Sequence, residues 1–149
     1  MRRERGFTLV ELLVVFAIMA LVVGLAPMVF DRLRDSAQYR DAVRTIVSEL
    51  RTARHQAMTG RGDVRFVVDL GHRTYGLDGG VRHAVPEAVR LGVTVADVEM
   101  RSGVAAIRFL SDGGATGGSV DVVRAASGAG VRLRVDWLSG RVTQTPLAP

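Results

Sequence analysis

One long apolar stretch constrains this chain more than any other feature. From Phe7 to Phe30 the only polar side chains are Thr8 and Glu11. As a helix rising ~1.5 Å per residue it spans roughly 36 Å, enough for a hydrocarbon layer of about 30 Å. Arg2, Arg3 and Arg5 precede it. By the positive-inside rule they hold the N-terminus in the cytoplasm. The remainder is then expected across the membrane.

Three readings compete for this segment. It can be a plain signal anchor. It can be a secretory signal peptide cut near Gly24-Leu25-Ala26, although the run exceeds the usual ~7–15 apolar residues and Pro27 follows that site directly. It can be a leader cut on the cytoplasmic side, between Gly6 and Phe7. Glu11 decides among them. A carboxylate in a membrane helix costs on the order of 2.5–3.5 kcal/mol near the centre and less near an end. An anchor has no use for it. A subunit that packs against copies of similar helices does. Cutting after Gly6 frees an amine on Phe7, one helical turn from Glu11. In a packed assembly the carboxylate can neutralise a neighbour's amine, and a buried charge is tolerable only with such a partner.

The string Arg5-Gly6-Phe7-Thr8-Leu9-Val10-Glu11-Leu12-Leu13-Val14 closely resembles the cleavage motif of type IV prepilins and type II secretion pseudopilins. The resemblance implies cutting by a prepilin peptidase at Gly6–Phe7, N-methylation of Phe7 and a role for Glu11 in subunit assembly. It further implies a bacterial inner-membrane protein that spans once, with a periplasmic head. Pro27 removes a backbone donor inside the helix. It is either a tolerated membrane proline or a flexible joint, and both stay open.

Beyond the apolar run, Leu33, Ala37, Val43, Ile46, Val47, Leu50, Ala53 and Ala57 recur at helical spacing. Arginines and acidic residues occupy the other faces, and Gly60 is the expected stop. This helix either continues the first or begins anew after Pro27. From Asp63 the pattern turns to short β runs over 64–68, 73–77, 89–95, 105–110, 119–124, 131–135 and 141–145. Turn residues such as Asp78-Gly79-Gly80 and Ser139-Gly140 separate them. The expected fold is α+β and pilin-like: a long N-terminal helix packed on a C-terminal antiparallel β-sheet head. The expected division is a leader at 1–6, a transmembrane and assembly helix at 7–30, an amphipathic helix at 31–60 and a β-rich head at 61–149.

The segment Phe109-Leu110-Ser111-Asp112-Gly113-Gly114-Ala115-Thr116-Gly117-Gly118-Ser119-Val120 resembles the glycine-rich motif of the minor pseudopilin H family, which also embraces FimT-like minor pilins. Val135-Asp136-Trp137-Leu138-Ser139-Gly140-Arg141-Val142 is similar to that family's final hairpin. Phe109, Asp112, Gly113, Gly117 and Gly118 are read as structural, because Asp and Gly permit tight turns between strands.

Other chemistry finds little support. Without cysteine there is no disulfide framework and no thiolate. The glycine loop lacks the Gly-Lys-Ser/Thr ending of a phosphate loop, and the chain has no lysine. His55, His72 and His83 lack metal-ligand spacing. Arg61-Gly62-Asp63 is read as a chance tripeptide. No catalytic residue, metal or cofactor is expected. Beyond residue 30 the chain holds 17 arginines against 13 acidic residues, too mild an excess for a dedicated nucleic-acid binder.

Two functions follow. The first is a minor pseudopilin of type II secretion, a structural subunit of a periplasmic pseudopilus that drives export of folded proteins. Its implied partners are other minor and major pseudopilins, the prepilin peptidase, the inner-membrane secretion platform and secreted cargo. The second is a FimT-like minor pilin in pilus priming or DNA uptake, contacting phosphates through Arg132, Arg134 and Arg141. These arginines read more readily as solvated strand faces, and nucleic acid is the disfavoured partner.

Overall fold

The computed structural model describes residues 8–60, 62–96, 100, 101 and 103–148; for 25–29 and 101 it describes the backbone alone. Contacts divide the chain into two units, Met1–Ser36 and Ala37–Pro149.

In the first unit, helix α1 (Leu9–Thr59) begins. Thr8 caps it: its hydroxyl oxygen accepts the Glu11 N–H at 3.2 Å, and its carbonyl accepts the Leu12 N–H at 3.2 Å. The first bond satisfies a donor that a helix start otherwise leaves open, and the second is the first regular bond of the helix. Along the following turns every described side chain is exposed, with Leu9 at 79%, Phe16 at 62% and Val23 at 67%. No surface within the unit covers them. Among the described residues no helix is long and apolar enough to cross a membrane. Residues 25–29, which continue the apolar run in sequence, have side chains outside that description. Gly6 and Phe7 also lie outside the described residues. The backbone is helical through Pro27.

Among the described residues the second unit contains the rest of α1 and nine strands. They are β1 (Val64–Asp69), β2 (Thr74–Leu77), β3 (Arg82–Ala84), β4 (Val89–Thr94), β5 (Met100–Arg101), β6 (Val104–Phe109), β7 (Gly118–Arg124), β8 (Gly130–Val135) and β9 (Val142–Leu147). They form two sheets, ordered β3-β2-β1-β6-β5 and β4-β7-β8-β9. All pairings are antiparallel.

One face of the helix closes the core. Tyr39, Ala42, Ile46, Leu50, Ala53 and Ala57 are buried at spacings of three and four. The first sheet meets them with Phe66, Val68, Tyr75, Ile107 and Phe109. The second sheet meets them with Val89, Val120, Val122, Leu133 and Val135. Strict alternation in β6, where Ala105, Ile107 and Phe109 are buried, follows from its period of two.

The expected strands are present within a residue or two of their bounds, except that β9 runs on to Leu147. Strands β3 and β5 were not foreseen. The helical stripe is shifted as well. Leu33 and Ala37 are exposed, while Tyr39 and Ala42 begin the buried face. The Tyr39 ring lies under the Arg124 guanidinium at 4.2 Å.

Candidate functional site

Two places carry the residues singled out in the sequence. The first is the start of α1. Thr8 and Glu11 form the Thr-x-x-Glu spacing of a capping box, of which the Thr8 half is made. The Glu11 carboxylate is exposed and lies in the first turn, where the helix dipole favours negative charge. That spacing was readable in the sequence and gives Glu11 a second, local role.

The second place is the crossover between the sheets. Strand β6 belongs to one sheet and β7 to the other, and the glycine loop joins them. Phe109, fully buried, ends β6 and bridges to Ala115. The Asp112 carboxylate accepts the Gly114 N–H at 2.9 Å. The Gly113 N–H donates to the Leu110 carbonyl at 3.0 Å, and the Leu110 N–H to the Gly114 carbonyl at 2.9 Å. Thr116 returns to β6: its N–H donates to the Arg108 carbonyl and its hydroxyl accepts the Arg108 N–H. Gly117 packs beside Trp137. Gly118 opens β7 at φ 142, and a Cβ there would lie 2.8 Å from the Thr94 carbonyl oxygen. No other residue fits that contact without displacing the end of β4.

The turn between β8 and β9 locks onto this loop. The Ala115 N–H donates to the Trp137 carbonyl at 2.8 Å. The Gly140 N–H donates to the Asp136 carbonyl, and the Asp136 N–H to the Arg141 carbonyl. With Gly140 at φ 60 this is a G1 bulge. A Cβ on Gly140 would meet the Gly113 carbonyl oxygen at 2.6 Å. Arg54, from the helix, donates through Nε to the Ser139 carbonyl at 2.9 Å, and Met58 lies against Gly113. The Asp136 carboxylate accepts both the Ser139 hydroxyl and its N–H, which hold it below the ordinary value. Loop, hairpin turn and the last helical turns are thus one hydrogen-bonded unit. The contributions of Arg54 and Met58 leave no trace in the local sequence.

The three candidate DNA-contact arginines are partly brought together. Arg132 and Arg134 lie on the exposed face of β8, two residues apart, and Arg141 follows the bulge glycine. Arg132 is held bidentately by Asp121 at 2.7 Å through both nitrogens. Histidines serve locally: His72 meets Asp69 at 2.8 Å, and His83 meets Glu49 at 3.3 Å while stacking on Tyr75. Among the described residues no group of three or more His, Cys, Asp or Glu could hold a metal.

Residues 1–27 match the prokaryotic N-terminal methylation motif, and residues 42–140 match the family described as type II transport protein GspH. The chain belongs to the GspH family. Type II secretion system protein H of Xanthomonas campestris pv. campestris is 34% identical over 147 residues, covering 98% of this chain and 86% of that protein. The fold matches the minor pseudopilin EpsH of the type 2 secretion system of Vibrio cholerae with a TM-score of 0.56, at 13% identity, over 75% of this chain and 98% of that one. The α+β pilin-like fold stands on the EpsH match, and the type II secretion reading on the family and the Xanthomonas relative. As a GspH-family member the chain is a type II transport protein, and its N-terminus carries the methylation motif.

Proposed function

We infer that this GspH-family chain is a minor subunit of a periplasmic pseudopilus that drives export of folded proteins across the outer membrane. A prepilin peptidase cuts between Gly6 and Phe7, and Phe7 is N-methylated. The apolar helix then holds the subunit in the inner membrane, N-terminus inward, until it packs into the filament. The carrying observation is the start of α1. Large apolar side chains from Leu9 to Val23 are exposed on every side, and a carboxylate sits one turn from the processing point. Burying each large apolar side chain is worth about 1.5–3 kcal/mol, so lipid and neighbouring helices both compete for this surface. Glu11 favours the neighbours, because they bring an amine into the apolar layer and lipid tails do not. The head offers contacts to other minor subunits, the platform or cargo, and the work comes from elsewhere in the machine. No side chain is assigned a catalytic role.

Two measurements test this. The mature mass must show loss of residues 1–6 and one added methyl group. The full chain, co-expressed with the remaining pseudopilins, must co-purify with them and be needed for secretion. An uncut mass, or secretion that survives deletion, removes the reading. A FimT-like role in DNA uptake would draw on Arg132, Arg134 and Arg141. Arg132 is already neutralised by Asp121, which weighs against it.

A further inference from the structure

Strand β9 is the last of its sheet and has no partner on its outer side among the described residues. The G1 bulge fixes which of its groups are free. Because Asp136 bonds to Arg141, the register makes Arg134–Thr143 and Arg132–Thr145 the next bonded pairs. Val142, Gln144 and Pro146 therefore turn their backbone groups away from β8. Two N–H groups, on Val142 and Gln144, are offered at this edge, and Pro146 ends the run.

Beside the same edge runs a groove of about 570 Å³ between β9 and the helix. Its floor includes Val43 and the buried Val47. Arg44, Arg51 and His55 stand over it from successive turns of α1, Gln144 closes the β9 side, and no carboxylate lines it. Among the described residues neither Arg44 nor Arg51 has an ion-pair partner.

We propose that this groove docks an extended acidic segment of a partner protein, which adds to β9 as a fifth strand. The occupant's chemistry follows from the two walls. An open strand edge takes a peptide backbone through main-chain hydrogen bonds. A strand's successive side chains point to opposite faces, so one face of the incoming strand lies toward α1. On that face an apolar residue meets Val43 and Val47, and a carboxylate two residues on meets Arg44 or Arg51 in a charge-assisted bond. A nucleic acid would satisfy the arginines but not the apolar floor or the strand edge. A second copy of this arginine-rich chain fits poorly for reasons of charge. The inference deepens the assembly role above and rests on it for the partner being a protein.

The test uses the full chain in detergent micelles. The probes are a labelled octapeptide in which Val and Glu alternate along one strand face with Thr on the other, its counterpart with Lys for Glu, and a short DNA duplex. The acidic peptide is expected to bind at least tenfold more tightly than the basic one. Its binding should slow hydrogen exchange at the Val142 and Gln144 amides. Charge reversal by Arg44→Glu with Arg51→Glu should invert the preference. Gln144→Pro, which removes an outward N–H without touching the β8 ladder, should weaken binding at least tenfold. Equal affinity for the two peptides overturns the proposal. So does unchanged exchange at Val142 and Gln144, a readout that needs no variant to fold. So does tighter binding of the duplex that Gln144→Pro leaves intact. Filament incorporation, scored separately, tests the assembly role: a chain that enters filaments but ignores the acidic peptide sinks the groove alone.

Discussion

The two ends of α1 belong to one continuous helix and have opposite surroundings. From Leu9 to Val23 the apolar side chains are exposed on all sides. From Tyr39 to Ala57 only one face is apolar and it is buried against two sheets. The first stretch has more hydrophobic surface than its own unit can use. The second has what its head requires. The lesson is that changes in the first stretch should register in processing and assembly, and changes in the second in folding.

The largest effects that could break this contrast are at the processing site. Gly6 replaced by a bulky residue is expected to abolish maturation, read as an unchanged precursor mass. Glu11→Gln is expected to leave processing intact and strongly reduce filament incorporation. Removing one partner of a buried charge pair costs about 3–5 kcal/mol. Normal incorporation of that variant would dismiss the pairing. Its head should melt at the wild-type temperature, since Glu11 lies in the other unit.

Folding supplies the converse test. Phe109→Ala removes a fully buried ring and should destabilise the head by about 3–5 kcal/mol, measured by denaturant titration of the full chain. Leu13→Ala, 63% exposed, should change that same midpoint by less than about 0.5 kcal/mol. Similar losses for both would erase the distinction. Gly140→Ala should fall between, at about 1–3 kcal/mol, because φ 60 and the Gly113 carbonyl both oppose a Cβ.

Much of this contrast was legible before any coordinates. The apolar run is a matter of composition, β6, β7 and β8 announce themselves by alternation and glycine turns, and β1 by its Phe66-Val67-Val68 run. Strands β3 and β5 have three and two residues, too few for a period to show; they exist because β2 and β6 offer edges. The helical face of the second unit shows the same limit: Ala37 keeps the helical spacing yet is exposed, and burial starts at Tyr39. At the candidate site, the glycines and Asp112 marked a turn between strands, but not that the turn passes from one sheet to the other. Its closure by Arg54 and Met58 depends on chain segments distant in sequence, which no local pattern encodes. The division into two sheets, with β4 crossing to pair with β7, is likewise set by tertiary packing.

The smallest expected effect sharpens the comparison within the head itself. Asp136 is exposed, and its carboxylate is held below 3.8 chiefly by the Ser139 hydroxyl, with the Ser139 N–H next. A depressed folded-state value means that the carboxylate stabilises the fold above the unfolded value and stops doing so as pH falls through the folded one. Asp136→Asn approximates the protonated state at every pH. The melting temperatures of wild type and variant should therefore differ slightly near neutrality and converge below pH 3.8. Phe109→Ala should show no such convergence, because its loss is one of packing. A constant gap for Asp136→Asn down to strong acid would mean that the turn is held by the bulge and the Arg54 bond alone, with the carboxylate a bystander.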